Sequence, residues 1–362
     1  MKNKFVFILF VLVFSCKDGI SNEKLSPSKE VKNFIRIEVP KSGIQFPIGT
    51  DDKGNGKKDA HGNPIESDVI SSSFEIGVHE VPYELWKEVY EWAIKNGYKF
   101  LNAGRQGSSG TPHIKGDENP LPFPINEEKK GQPVVWISWY DVVCWCNAYS
   151  EKMGKTPAYY FESSIFKDAK KTFKENGEDI NCGDRIECKA DRDGYRLPTS
   201  KEWEAVARCP SREKFGNSIP FVQKDGSTYY FLKGDSISSA TCAYANEEPS
   251  EVDNATLHDD IKKENDLYAV YDNFWNGKTW KRKGVKSTEA IMSKRPNRLG
   301  VYDMSGNVAE WCFDWAKEGE HRVYRGGAYH DLSRNLQVGW KDKDVPSYAY
   351  YSLGFRLARN VD

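Results

Sequence analysis

In Pro296-Asn297-Arg298-Leu299-Gly300-Val301-Tyr302-Asp303-Met304-Ser305-Gly306-Asn307-Val308-Ala309-Glu310-Trp311, the pair Gly306-Asn307 is a turn signal. Glu310, three residues on, can swing its carboxylate back toward that turn. An asparagine oxygen, nearby backbone carbonyls and one carboxylate together make a hard-cation site. The alternative leaves Asn307 to make a turn only and pairs Glu310 with an arginine. Upstream, Gly194-Tyr195-Arg196-Leu197-Pro198-Thr199 reads as a strand that ends at a proline one step before a helix. Thr199 and Glu202 form a capping box for that helix, which buries Trp203, Val206 and Ala207. Downstream lie Arg322-Val323-Tyr324-Arg325-Gly326-Gly327-Ala328-Tyr329 and Leu353-Gly354-Phe355-Arg356.

Two more helices are expected. Pro82 opens one that runs to about Lys95, with Leu85, Trp86, Val89, Tyr90 and Ala93 on one face. Ser138 with Asp141 caps another carrying Val142, Val143, Trp145, Cys146 and Tyr149. Ile35 to Val39 alternates as a half-buried strand does, Ile44, Phe46 and Ile48 follow in period two, and a first strand pair is the simplest reading. Phe74 to Val78 and Pro133 to Ile137 are strand-like. Asp51 to Asn63 is a surface loop, since Lys53 and Gly62 break the calcium-loop pattern that Asp51, Asn55 and Gly56 suggest. Gly104 to Gly110 reads as a flexible crossing, and residues 165–192 as a charged, helix-prone excursion. Three helices leave most of the chain to loop and short strand, with no solenoid or propeller repeat.

The order and spacing of the quoted segments resemble the formylglycine-generating, or sulfatase-modifying factor, family over roughly residues 37–362. Phe74-Glu75-Ile76 with Glu80-Val81, and Pro133-Val134 with Trp139, extend the resemblance upstream. It implies one α+β domain over residues 35–362 with an elaborated C-type-lectin-like fold low in regular secondary structure. It also implies structural calcium at Asn307, Val308 and Glu310, and at a second place resembling Asn246. In members that oxidise a sulfatase cysteine to formylglycine, a serine follows the Gly-Gly pair, with copper(I)-binding cysteines three and eight residues beyond it. Here Ala328, Asp331 and Leu336 occupy those positions, and Ala309 stands where a tryptophan is common. A carboxylate and an aliphatic side chain cannot replace two thiolates, so copper is not expected.

The expected role is therefore binding. Some secreted relatives, including variable lipoproteins of spirochaetes, use the surface around this C-terminal segment to hold ligands. Tyr329, His330, Asp331, Arg334, Asn335, Trp340, Lys341, Asp342, Tyr348, Tyr350 and Tyr351 crowd it, a mixture that favours recognition of a protein or glycan. Trp340 and Tyr351 are the two expected to be buried. The alternatives are an oxidase with a relocated thiol pair and a structural accessory lipoprotein. No histidine spacing suits zinc or iron, and neither a nucleophile elbow nor a phosphate-cradling loop occurs.

The N-terminus adds localisation. Lys2 and Lys4 precede ten uncharged apolar residues, Phe5 to Phe14, and then Ser15-Cys16. That run is too short to span a bilayer and reads as a processed export segment, residues 1–15, with Cys16 as the acylated residue of a lipobox. Residues 16–34 form a polar tether. The expected location is the bacterial cell envelope, at the outer membrane or cell surface, held by the lipid anchor alone. A net charge of −1 with both signs interspersed argues against nucleic acid as a partner. Seven cysteines remain besides Cys16; Cys182 and Cys188 are the expected local bridge, while Cys144, Cys146, Cys209 and Cys312 fit small buried positions as well as bonded ones.

Overall fold

The first strand, Phe34–Ile37 (β1), does not pair with the segment that follows it. The computed structural model describes residues 34–49, 67–108, 122–216, 218–239, 255–276 and 278–361. In it β1 pairs antiparallel with Phe74–Gly77 (β2), Ile37 opposite Phe74, while Ile44–Pro47 pairs with Ser67–Ile70. This corrects the expected strand pair. Alternation fixes which face of a strand is buried and leaves the neighbour open. The sheet continues from β2 to Ala358–Asn360 at the C-terminus and then to Tyr195–Arg196 (β3), all antiparallel. Asn33–Asp362 forms one compact unit.

Tyr83–Lys95 (α1) follows Pro82 and buries Tyr83, Trp86, Val89, Tyr90 and Ala93. Trp139–Lys152 (α2) carries the Ser138–Asp141 capping box and is buried on nearly every side. Cys144 and Cys146 therefore both sit in the core although they point to different faces. Asp141 is wholly buried, and besides its cap it accepts from the backbone N–H of Leu101 at 2.6 Å and of Asn102 at 3.2 Å. The helices meet through Trp86 and Trp145, stacked 3° from parallel with centroids 5.5 Å apart. Ser200–Ala207 (α3) has the Thr199–Glu202 capping box, and Glu202 also takes both terminal guanidinium nitrogens of Arg196 at 2.8 Å, which ties β3 to the helix it feeds.

Three expectations need correction. Residues 165–192 contain a hairpin, Thr172–Glu175 with Glu178–Asn181, and no α-helix. Asn176 and Gly177 take φ of +52° and +88°, the left-handed pair of a two-residue hairpin turn, so the turn overrides the helical propensity of the flanking charged residues. Cys182 heads the 3-10 turn after that hairpin while Cys188 pairs with Tyr159 in another strand, and the two thiols are free. Arg105–Gln106 pairs with Val134–Val135, so this part of the glycine-rich loop is strand and no flexible crossing. A fourth helix, Ala255–Tyr268 (α4), lies outside the expected ones and is strongly polar, with six charged residues from Asp259 to Asp266.

A second sheet carries the C-terminal motifs. Ala309–Lys317 (β4), His321–Arg325 (β5) and Lys341–Asp344 (β6) form an antiparallel run with β6 at the edge, and Leu353–Gly354 (β7) joins β4 in parallel. Residues 1–33 with Cys16, residues 50–66 and Asn246 lie outside the described residues. Among the described residues, no helix is long and apolar enough to cross a membrane.

Candidate functional site

Gly306 and Asn307 turn the chain with φ of +84° and +61°. The carboxylate that reaches this turn is Glu80, which sequence reasoning left as a mere motif residue. Its Oε2 accepts from Asn307 Nδ2 at 2.7 Å and its Oε1 from the Val308 N–H at 3.0 Å. Asn307 Oδ1 is taken by the Glu289 N–H at 3.0 Å. Glu310 points elsewhere: Arg356 Nε and Nη2 reach its two oxygens at 2.6 Å, and Trp203 Nε1 donates to one of them at 2.7 Å. Of the expected calcium donors, Asn307 Oδ1 is taken by the Glu289 N–H and the Glu310 carboxylate by Arg356 and Trp203, so an arginine occupies the carboxylate a cation would need. They do not fit a calcium ion as arranged. Among the described residues, no three His, Cys, Asp or Glu side chains converge as metal ligands.

The same region holds three buried carboxylates, Glu80, Asp303 and Glu310, around one arginine. Burial, then Asp303 and Glu310, push the Glu80 carboxyl well up. Burial lifts Asp303 from 3.8 to about 6, against the opposing pull of the Met292 N–H and Arg356. A carboxyl whose folded pKa exceeds its unfolded one weakens the fold as pH rises from about 4 through 6, by up to roughly 3 kcal/mol for this shift. Asp303→Asn is therefore expected to be more stable than wild type at pH 7, with the difference vanishing below pH 4. Asn keeps an acceptor for Met292 and tolerates the φ of +55° found there. Urea midpoints at the two pH values check this; a variant weaker than wild type at pH 7 would refute the assigned sign.

The C-terminal segment wraps a cleft of about 130 Å³ beside β5 and β6. The register sets it up: Tyr324 lies opposite Asp342, Arg322 opposite Asp344, Val323 opposite Lys343 and Arg325 opposite Lys341. Because strand side chains alternate, the two aspartates of Lys341-Asp342-Lys343-Asp344 join Tyr324 on one face and Lys341 goes to the other. Of the residues expected to recognise a ligand, His330, Asp331, Asn335, Trp340, Tyr348 and Tyr350 line the cleft. Tyr324, Asp344 and Ser352 line it too and were missed. Ala309 and Ala328 also reach it, so small side chains leave room there.

Other expected residues fall differently. Tyr329, not Trp340 or Tyr351, is the buried aromatic of the group; the latter two are half-buried. The Tyr329 N–H donates to Asn307 O at 2.9 Å, which draws its ring inward beside Tyr351. Arg334 is exposed outside the cleft, 5.9 Å from the Trp280 ring centroid. Leu336 is wholly buried with Ile237, Tyr268, Ala269 and Tyr271. Asp331 Oδ2 accepts from the Ala328 N–H at 2.9 Å. None of Ala328, Asp331 and Leu336 offers copper(I) a soft donor, so the residues present do not fit that ion. Burial pushes the Cys312 thiol well up, which makes it a poor nucleophile or ligand.

Ser352 Oγ lies 2.9 Å from His330 Nε2, and His330 Nδ1 lies 3.4 Å from Asp331 Oδ1. The order is serine, histidine, aspartate, but the second step is longer than a good hydrogen bond and Ser352 is only 4% exposed. The chain of contacts holds the imidazole in place at the cleft wall. Tyr348 and Tyr350 stack there with centroids 5.4 Å apart at 23°. Burial first, then Asp342, Asp344 and Asp331, hold the Tyr324 phenol above its ordinary range; burial first, with Asp344 a later contributor, does the same for Tyr348. A larger cleft, of about 370 Å³, lies across the same strands. In it Glu204 is shared by Arg325 and the buried Arg208, both at 2.7 Å, and Asp68 lies 3.7 Å from Lys201.

Residues 28–361 match the family model described as a sulfatase-modifying factor enzyme 1-like domain. The chain is 24% identical over 313 residues to the chaperone protein LppX of Paenibacillus barcinonensis, covering 85% of this chain and 88% of that one. It is 33% identical over 113 residues to the formylglycine-generating enzyme of Streptomyces coelicolor, 25% of this chain and 36% of that enzyme. Among solved structures, CarF superposes with a TM-score of 0.55 at 24% identity, covering 91% of this chain and 98% of its own. Treponema denticola variable protein 1 does so at 0.50 and 22%, covering 91% and 94%. These two bear out the fold, the C-type-lectin-like α+β domain expected above.

Proposed function

The chain belongs to the sulfatase-modifying factor family, and we propose that it uses the family's fold to bind a protein or glycan ligand and carries out no formylglycine-generating oxidation. The observation that carries the reading is the cleft itself. Six side chains expected to recognise a ligand, His330, Asp331, Asn335, Trp340, Tyr348 and Tyr350, converge on one hollow. Ala328, Asp331 and Leu336 stand at the positions that the resemblance assigns to the serine after the Gly-Gly pair and to the two copper-binding cysteines. Aromatic rings supply contact area there at low entropic cost and the polar neighbours supply orientation. Export, with acylated Cys16 anchoring the domain to the cell envelope, belongs to the same proposal and would present the cleft outside the cytoplasm. It rests on the export segment and lipobox read from the sequence.

The test probes arrays of immobilised peptides and glycans with the exported chain and with a Tyr348→Ala/Tyr350→Ala variant. Wild type is expected to capture a ligand and the variant to lose at least tenfold in affinity, since stacked aromatic anchors dominate such sites. Equal capture by the variant refutes the placement. In parallel, conversion of a cysteine-containing sulfatase-motif peptide to formylglycine in the presence of copper(I), read by mass spectrometry, would overturn the non-enzymatic reading.

A further inference from the structure

We infer that the cleft beside β6 is a receptor for a guanidinium group, so that its ligand is a protein segment presenting an arginine side chain. This rests on the cleft being the ligand site proposed above and narrows what it takes. Three carboxylates, Asp331, Asp342 and Asp344, surround Tyr324 at the cleft wall. Asp342 and Asp344 arrive there together because they are two apart on one strand. Each has one oxygen accepting from the next backbone N–H, at 2.8 Å, Asp342 also accepts from the Tyr324 hydroxyl, and neither has an ion-pair partner among the described residues. Among the described residues in the wall, the one permanently cationic side chain is Arg325, held by Glu204 Oε2 at 2.7 Å from Nη2, a carboxylate it shares with Arg208, by Ser200 Oγ at 2.8 Å from Nε and by Trp340 O at 3.1 Å from Nη1. Three carboxylates against that one arginine leave the cleft with an excess of negative charge.

The occupant follows from that charge, from the rings and from the size. An anion would be repelled. A neutral sugar would donate hydroxyls to these carboxylates but return no positive charge, so the charge-assisted hydrogen bonds of a guanidinium are favoured over it. A metal ion needs donors that converge, and these do not. A guanidinium is planar, so it can lie on the Tyr348–Tyr350 stack or on Trp340 while its fork of N–H groups addresses Asp342 and Asp344. At about 130 Å³ the hollow holds one long side chain, well below the roughly 300 Å³ at which pockets for whole small molecules begin.

The experiment titrates the exported chain, followed by tryptophan fluorescence, with acetyl-Gly-Arg-Gly-Arg-Gly-amide and with the same peptide carrying citrulline, the uncharged isostere, for arginine. The arginine peptide is expected to bind at least tenfold more tightly, to weaken as salt is raised, and to lose at least tenfold on Asp342→Asn/Asp344→Asn. Near-UV circular dichroism checks that this variant keeps the wild-type fold, and Asp179→Asn, an exposed change remote from the cleft, serves as the charge control that should leave binding unchanged. Equal binding of the citrulline peptide, or an unaffected double variant, overturns the inference. Failure here separates from failure of the parent reading: a neutral glycan lost on Tyr348→Ala/Tyr350→Ala but retained by Asp342→Asn/Asp344→Asn removes the arginine and keeps the cleft. A ligand retained by both variants removes the cleft as well.

Discussion

Arg356→Met is expected to cost about 3–5 kcal/mol at pH 7, the range for removing one member of a buried ion pair. Typical domains are stable by only about 5–15 kcal/mol, so the variant should lose much of its margin. Arg356 is wholly buried, and it donates to both oxygens of Glu310, to the carbonyl of Gly77 and to that of Tyr302. Those contacts join the strand β2, the loop before the Gly306 turn and the strand β4. Methionine would fill part of the volume but leave Glu310 with Trp203 as its remaining donor, and Glu80 and Asp303 without their nearest cation.

The pH dependence distinguishes this account from simple loss of packing. Arg356 holds the Glu80 and Asp303 carboxyls down against burial, so removing it lets both rise further. A carboxyl raised in the folded state destabilises it when ionised and ceases to do so once protonated. The gap between wild type and variant should therefore narrow as pH falls from 7 to 5, as read from urea midpoints. A gap of equal size at both pH values would mean the arginine acts through its shape alone. Adding Glu310→Gln to Arg356→Met should recover part of the loss at pH 7, because it removes the stranded charge.

What the sequence disclosed and what it concealed divide by range. Both capping boxes were legible because a cap involves residues three apart: Ser138 with Asp141, and Thr199 with Glu202. The partner of β1 was not, since Phe74 lies far along the chain and alternation is equally satisfied by either neighbour. The hairpin at Asn176-Gly177 is signalled by its turn pair, but the charge of its flanks also suits a helix. At the site, the residue types of the C-terminal segment were enough to name about half of the residues that line the cleft. Its electrostatic side was hidden: Lys341-Asp342-Lys343-Asp344 looks neutral as a string, and only pairing with β5 shows that the aspartates share a face with Tyr324. Glu310 and Arg356 were both visible as motif residues, but that they meet depends on a contact 46 residues apart.

Gly306→Ala is expected to cost roughly 3–5 kcal/mol, by two separable mechanisms. The first is conformational: φ of +84° is a region where a side chain costs of order 1–3 kcal/mol. The second is a collision with backbone. A Cβ on Gly306 would lie 2.3 Å from the carbonyl oxygen of Val270, 3.0 Å from its carbon and 3.1 Å from its nitrogen, none of which can swing aside as a side chain does. Overpacking of that kind adds about 1–3 kcal/mol. Gly300 supplies the control, because it has the same φ of +84° and no atom within 4 Å of a built Cβ. Gly300→Ala should show the conformational cost alone, and equal losses for the two substitutions would refute the collision. Function should follow stability here. The Gly306 N–H donates to Gly326 O and the Asn307 N–H to Val270 O, both at 2.9 Å, while Asn307 O receives the Tyr329 N–H next to His330. A displaced turn therefore shifts the segment that walls the cleft, so in Gly306→Ala protein that is still folded, ligand capture should fall, and in Gly300→Ala protein it should not.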